Sequence, residues 1–268
     1  MIAARTALVT GATSGIGAAT AVRLAREGAF VWVAGRDRER GQEVVERVVG
    51  SGRRAAFVEL DVADIGSIEA AAALLRASGP VDWLVNGAGI AVSAPLVSRQ
   101  PSGDDLYERH MRVNFHGARR AFEALLPGML ERSYGRVVNV ASCAGFRGYA
   151  YVAAYAASKH ALLGFTRSAA IELSAKGVAV CAVCPYYVDS PMTDQAVRRI
   201  AEKTGRPEAE ARAFLAAQNP GGAFVTVEEV AEAVCDLLTG DLTGEIVELT
   251  GGASRTLDEG WPLGEASG

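Results

Sequence analysis

Short, nearly uninterrupted apolar runs recur along the chain, and stretches of helical period fill the intervals between them. The runs are Ala7 to Thr10, Phe30 to Ala34, Ala55 to Leu60, Trp83 to Asn86, Arg136 to Ala141, Val178 to Val183 and Glu245 to Leu249. Runs of this kind, with little polar alternation, are what strands covered on both faces look like. Their alternation with helices predicts an α/β fold, a doubly wound parallel sheet of seven strands with right-handed crossovers and helices on both faces. No Pro/Ser-rich or charged linker breaks the rhythm, so a single domain over residues 1–252 is expected.

One interval is longer than the others. Asp189 to Asn219 separates the sixth run from Thr226-Val227-Glu228-Glu229-Val230, whose Thr and Glu spacing reads as a capping box opening the last main helix. The interval carries helical charge patterning from Ala196 to Lys203 and from Pro207 to Leu215. An insertion at the carboxyl end of a parallel strand lies where open α/β sheets bind ligands, so 189–219 is expected to be a substrate lid, with an oligomer contact as the alternative. The tail, 253–268, has no clear periodicity around Trp261; a loose end and a segment docked on a neighbouring subunit both fit it.

Charge and cysteines narrow the function. With 27 basic and 31 acidic residues the formal net charge is -4, which argues against a nucleic-acid backbone as partner and leaves a small molecule. No apolar run approaches the roughly 20 residues needed to span a bilayer. Met1 leads almost directly into Ala7-Leu8-Val9 without a signal-peptide core, so a cytoplasmic location is expected. Cys181 and Cys184 form C-x2-C, but they lie in a strand-like run, where residues three apart face opposite ways and cannot readily share a metal ion. With Cys143 and Cys235 they are read as buried small apolar residues, and nothing implies disulfides.

Two local patterns carry chemistry. Thr10-Gly11-Ala12-Thr13-Ser14-Gly15-Ile16-Gly17 follows the first strand and opens the helix Ile16 to Glu27, the context a phosphate-binding turn requires. Glycines let the backbone approach a pyrophosphate, the helix N-terminus adds oriented N–H groups, and Thr13 and Ser14 add hydroxyls. Farther on, Tyr155 and Lys159 stand four apart in a helical stretch and project from one face. A phenol titrates near pH 10, and a neighbouring ammonium or an oxidised nicotinamide favours its ionised form, so Tyr155 can act as a general acid or base. By itself such a pair is most often two surface side chains, and the surrounding pattern is what selects the catalytic reading. Ser142 ends the fifth strand at the edge where the crevice should lie, placed to donate a hydrogen bond to a carbonyl as charge develops. A hydrolase triad drawn from Ser142, Ser158, His160 and Asp189 finds no G-x-S-x-G elbow, and His160 points about a hundred degrees away from the Tyr155 face. His110, His116 and His160 are read as structural or surface residues.

With Asn114, Ser142, Tyr155 and Lys159 in this order, together with the glycine turn and Asn86-Gly87-Ala88-Gly89, the chain resembles the short-chain dehydrogenase/reductase family from about residue 5 to about residue 252. The resemblance implies a Rossmann-like sheet of strand order 3-2-1-4-5-6-7, hydride transfer to or from a nicotinamide cofactor, and a homo-oligomer, a dimer or tetramer built through the two long helices ending near Arg132 and Lys176. It assigns Asn114 to a helix irregularity and a water serving Lys159, and Asp61 and Val62 to the adenine. Asn86, Ala88 and Gly89 border the cofactor, and Pro185, Val188 and Ser190 lie beside the nicotinamide. Aligning Gly28-Ala29 with the family's glycine-alanine pair puts Gly35 where an NAD-type acid would stand, with Arg36 next to it; this predicts NADP(H), against which Asp37 would count after a one-residue shift. Tyr186 replaces the glycine the family usually has after Pro185, and Gly87 replaces a second asparagine.

Aromatic residues gather near the expected mouth: Phe146, Tyr149 and Tyr151, then Tyr186 and Tyr187 with Met192, and Phe214 on the lid. Flat apolar surfaces suit a hydrophobic or polycyclic ketone, with ordinary core packing as the alternative. The stretch from Gly135 to Met192 is also similar to ketoreductases of aromatic polyketide pathways, through the words at 135–142 and 158–166. After Gly89 the chain reads Ile90-Ala91-Val92-Ser93, without the glycine-rich extension of ring-closing members, so a released polycycle is preferred to a carrier-bound chain. Reduction of 3-oxoacyl thioesters, helped by a basic lid patch of Arg198, Arg199 and Lys203, or oxidation of simple secondary alcohols is the enzymatic alternative. A cofactor-binding sensor or scaffold is the non-enzymatic one.

Overall fold

The computed structural model describes residues 5–96, 105–252 and 254–257. Its strands are β1 (Thr6–Thr10), β2 (Phe30–Gly35), β3 (Ala55–Glu59), β4 (Trp83–Asn86), β5 (Gly135–Val140), β6 (Val178–Pro185), β7 (Ile246–Leu249) and β8 (Ser254–Thr256). They form one sheet in the order β3-β2-β1-β4-β5-β6-β7-β8, in which the first seven run parallel and β8 pairs antiparallel to β7. Order and direction of the seven parallel strands are as expected. The eighth comes from the segment read as an aperiodic tail; Trp261 lies outside the described residues.

The helices are α1 (Gly15–Arg26), α2 (Arg38–Gly50), α3 (Ile65–Ser78), α4 (Leu106–His110), α5 (Ala118–Glu131), α6 (Ala153–Leu173), α7 (Pro191–Thr204), α8 (Glu208–Ala216) and α9 (Val227–Thr239). Alternation along each strand divides the core in two. Val9, Val33, Val85, Val138 and Val183 pack on one face with Leu24 of α1, Val44 of α2 and Val234 of α9. Leu8, Leu84, Val137 and Val180 pack on the other with Leu75 of α3, Phe122 of α5 and Leu173 of α6. Cys181 belongs to the first face and Cys184 to a cluster around Leu162 and Leu163, so the C-x2-C pair is split across the sheet as its spacing predicted. All four thiols are free and buried. Among the described residues no helix is long and apolar enough to cross a membrane, and no group of three or more ligating side chains could hold a metal.

The chain order reverses between β1 and β4, whose last residues Thr10 and Asn86 are register partners. A crevice therefore opens beyond the carboxyl ends of these strands, which is where such sheets take their ligands. The long interval after β6 folds as α7 and α8, turned by Gly205 in the left-handed region (φ 72°), and Arg212 of α8 pairs with Asp194 and Asp189. The capping box is formed: Thr226 accepts from the Glu229 N–H, and Glu229 accepts from the Thr226 N–H.

Candidate active site

The turn after β1 depends on missing side chains. Gly11 (φ 68°) brings its Cα against the 86–89 turn, and a Cβ there would lie 2.7 Å from the Ala88 Cα. A Cβ on Gly17 would fall on the Gly11 carbonyl, so the first turn of α1 folds onto the loop only with glycine there. The Thr10 hydroxyl accepts from the N–H groups of Gly87 (3.1 Å) and Ala88 (3.2 Å), tying the ends of β1 and β4 together. Ser14 stands at the N-cap of α1 with no capping bond from its side chain, and the first N–H groups of the helix supply the positive potential an anion needs.

At the end of β2, a Cβ on Gly35 would come within 2.5 Å of the Thr13 methyl, so a larger side chain there would have to move the Thr13 side chain. Asp37, the residue that counted against NADP(H), is committed elsewhere. It is the N-cap of α2, accepting from the Arg40 N–H at 3.1 Å and pairing with the Arg40 side chain at 3.3 Å. Arg36 stays 74% exposed with its guanidinium 3.8 Å from Asp61, whose other oxygen accepts from the Ala63 N–H. An exposed guanidinium and a side-chain-free Gly35 suit a 2'-phosphate better than a bare ribose hydroxyl.

The acid-base residues meet at the end of β5. Ser142 caps a one-turn helix, its Oγ accepting from the Ala144 N–H at 3.2 Å, and its hydroxyl is the hydrogen-bonding neighbour that pulls the Tyr155 phenol down. Burial acts more strongly the other way and holds Tyr155 well above the usual phenol range. The Lys159 ammonium lies 5.8 Å from the Tyr155 ring centroid and donates to the Val140 carbonyl at 2.7 Å, and by itself it does not offset the desolvation of the phenol. The same burial draws Lys159 down to about 8.

Asn114 lies in a π-helical turn, Met111–Gly117, between α4 and α5, the irregularity that the resemblance implied. The wider turn directs its amide sideways: Oδ1 accepts from the Ile90 N–H (2.8 Å), and Nδ2 donates to the Ile90 carbonyl (3.0 Å) and to Ser158 Oγ (2.9 Å). A Cβ on Gly89 would sit 3.3 Å from Asn114 Oδ1 and 3.8 Å from Lys159 Nζ, so that glycine keeps open a space both groups border.

The aromatic residues divide. Tyr187 packs against Val197 of α7 and Leu215 of α8 and is close enough to Tyr155 to influence it. Tyr151, in the left-handed region at φ 68°, is 65% exposed, with Met192 and Phe214 also largely exposed. Tyr149 donates from its hydroxyl to Cys143 Sγ at 3.3 Å, and Phe146 packs against the core. Tyr186, expected in the substrate wall, instead turns inward: it is 6% exposed, lies under the Arg147 guanidinium and has its phenol beside the buried Glu248 carboxylate. Its ring packs in the cluster of Val183 and Val188, on the sheet face opposite Cys184, rather than at the mouth.

Three supporting residues had no motif to announce them. Asn139 accepts from Asn86 Nδ2 and donates to Thr166, each at 2.9 Å, giving Asn86 a buried partner where a second asparagine is missing. The Val140 carbonyl holds Lys159, and His110, read as structural, lies edge-on to Tyr155 at 6.2 Å. A polar residue within an apolar run was the available signal for Asn139; a backbone carbonyl leaves none.

Comparison with known proteins agrees with this geometry. The chain is 37% identical over 257 residues to a cis-4-hydroxycyclohexanecarboxylate dehydrogenase of Sinomonas cyclohexanicum, covering 93% of this chain and 96% of that one. Its fold superposes on an actinorhodin polyketide ketoreductase variant solved with NADPH, with a TM-score of 0.87 and 35% identity over 93% of this chain and 97% of the other. A 3-oxoacyl (acyl-carrier-protein) reductase of Agrobacterium tumefaciens with NADP bound superposes with a TM-score of 0.81 and 31% identity, covering 93% and 94%. Residues 5–201 match the short chain dehydrogenase family, and with the glycine turn, the Ser142–Tyr155–Lys159 cluster and the π-turn at Asn114 in place, the chain belongs to that family.

Proposed function

We propose that this chain is an NADP(H)-dependent ketoreductase that interconverts a ketone and a secondary alcohol, with a hydrophobic ring system as substrate and Tyr155 as the general acid and base. The observation that carries this reading is the convergence at the end of β5 of the Ser142 hydroxyl, the Tyr155 phenol and the Lys159 ammonium. NADPH, when bound, supplies the hydride. Gly11, Thr13, Ser14, Gly15, Ile16 and Gly17 cradle its pyrophosphate, and Arg36 clamps the 2'-phosphate. Asp61 and Val62 border the adenine, Asn86, Ala88 and Gly89 the central crevice, and Pro185, Val188 and Ser190 the nicotinamide end. The bound cofactors of the two solved relatives support this choice over NAD(H).

The residues divide the chemistry between them. Ser142 Oγ accepts from the Ala144 N–H and its proton faces only the weak acceptor Cys143 Sγ at 3.9 Å, so it can turn to the ketone oxygen as negative charge builds there. Tyr155, protonated at neutral pH because burial disfavours the phenolate, donates its proton to the same oxygen. Lys159 faces the phenolate left behind, and the space beside Gly89 and Asn114 gives a replacement proton its path through a water. Tyr151, Tyr187, Met192 and Phe214 form the apolar mouth, with Phe146 and Tyr149 behind it and 189–219 as its lid. Names of the relatives include a cyclic alcohol dehydrogenase and a polyketide ketoreductase, which supports a ring substrate. The 3-oxoacyl reductase supports a second reading, reduction of a thioester-linked ketone. The four free thiols suit a reducing cytoplasm, and a homo-oligomer would appear in light scattering at a multiple of 27.9 kDa.

The test is NADPH consumption against ketones running from fused-ring aromatics to acetoacetyl thioesters. Turnover is expected with the ring ketones, falling by about 10²–10⁴-fold in Tyr155→Phe while NADPH binding persists. Silence across the panel despite tight NADPH binding would sink the reductase reading and favour a sensor.

A further inference from the structure

His110 is fully buried at the end of α4 and takes no part in the chemistry above. Its two nitrogens have unlike partners. The Val92 N–H donates to Nε2 at 3.1 Å, so that nitrogen carries a lone pair; Nδ1 therefore holds the proton and donates to the Leu106 carbonyl at 2.7 Å. The ring stands edge-on to Tyr155, at 6.2 Å and 73°.

The Val92 bond is the middle one of three. Ile90 is held through both backbone groups by Asn114, and the Ala94 N–H donates to the carbonyl of Tyr151 at 2.8 Å. Alternate N–H groups of an extended segment point the same way, so residues 90, 92 and 94 are pinned along one edge. The pins come from the π-turn, from α4 and from the turn before α6 at its one left-handed tyrosine. The segment thus runs the length of the site, from Gly89 beside Lys159 to Ala94 beside Tyr151.

We propose that His110 is a positioning residue which, as a neutral imidazole, registers segment 90–94 along the Tyr155 site and lets go of it when protonated. An imidazolium has no lone pair at Nε2, so the Val92 N–H would face another N–H. The charged groups around the ring are Lys159 from α6 and Arg109 from α4, with the Tyr155 phenol alongside; segment 90–94 contributes no titratable side chain. Burial lowers the His110 pKa below 6.5, the bond to the Leu106 carbonyl opposes it, and Arg109 and Lys159 add to the lowering, so the clamp holds at neutral pH and fails on the acid side of that value. The consequence for ketone binding rests on the reductase reading; the clamp itself does not.

Hydrogen exchange of the Val92 amide, measured alongside ketone and NADPH kinetics in wild type, His110→Leu and His110→Gln, separates the two. In His110→Leu the Val92 amide is expected to lose about tenfold of its protection, with ketone KM rising by a similar factor and NADPH affinity unchanged. His110→Gln, whose side-chain carbonyl can accept from the same N–H, should restore both. Corrected for intrinsic rates, wild-type protection should fall as pH drops below about 6.5 while His110→Gln stays flat. Undiminished Val92 protection in His110→Leu, or a pH-independent wild type, overturns the proposal. The predicted exchange pattern in a protein that reduces no ketone would uphold the clamp and discard the reductase reading. Should His110→Leu fail to fold, the pH series on wild type and His110→Gln decides.

Discussion

Lys159 is the costliest side chain in the site: an ammonium only 5% exposed, donating to the Val140 carbonyl, with no carboxylate among the groups that shift its pKa. Its pKa of about 8 against an ordinary value near 10.4 means that folding is opposed at pH 7 by about 3 kcal/mol. Between those two values the unfolded chain binds more protons than the folded one, so this penalty shrinks as pH rises from 8 towards 10. Lys159→Met is therefore expected to abolish reduction yet stabilise the cofactor-free protein at pH 7 by about 1–2 kcal/mol, the lost Val140 bond offsetting part of the gain. Urea denaturation at pH 7 and pH 10 reads this, the advantage of the variant narrowing at the higher pH; a variant less stable at pH 7 would contradict the account. The identity of Tyr155 and Lys159 was legible from the pattern they share with Asn114, Ser142 and the glycine turn rather than from their spacing alone, but their acidities were not. Coulomb attraction acts over a distance that spacing suggests, whereas desolvation depends on every element packed around the phenol.

Among the elements, the glycine turn and α1 were readable because the glycines stand at a fixed spacing between an apolar strand and a helix, and at Gly17 that spacing answers a contact close in sequence. Gly17 shows this most directly, since its absent Cβ is replaced by the Gly11 carbonyl. Gly17→Ala must push the first turn of α1 away from the loop, and is expected to cost about 1–3 kcal/mol and to weaken NADPH binding more than tenfold. Thermal denaturation and a fluorescence titration check both; unchanged NADPH affinity would mean that the turn does not hold the pyrophosphate. The capping box at Thr226 was readable for the same local reason. The π-turn at 111–117 came only through the family resemblance, because one wide turn inside a helix leaves no mark on hydrophobic periodicity. Strand β8 was missed: three residues pairing with β7 at the sheet edge need no buried alternation of their own.

At the scale of the molecule, the crevice joins residues more than a hundred positions apart, from Gly11 to Asp189, so cofactor binding stabilises the whole sheet end. A ligand bound only by the folded state at a hundred times its Kd contributes about 2.7 kcal/mol. NADPH should therefore raise Tm by several degrees and NADH, at equal concentration, by less. In Arg36→Ala that difference should vanish if the guanidinium beside Asp61 is the 2'-phosphate clamp proposed above. A larger shift with NADH in the wild type would reverse the cofactor assignment.

The sequence by itself determined the alternation of strands and helices, the glycine turn and the acid-base pair, since each is written in neighbouring residues and their periods. Only the tertiary structure decided where side chains of unclear allegiance go. Asp37 caps α2 instead of meeting a ribose, Tyr186 turns under Arg147 instead of walling the mouth, and His110 joins segment 90–94 to α4. Each of these outcomes depends on strand phase or on a partner distant in the chain, and such partners meet only when the sheet assembles.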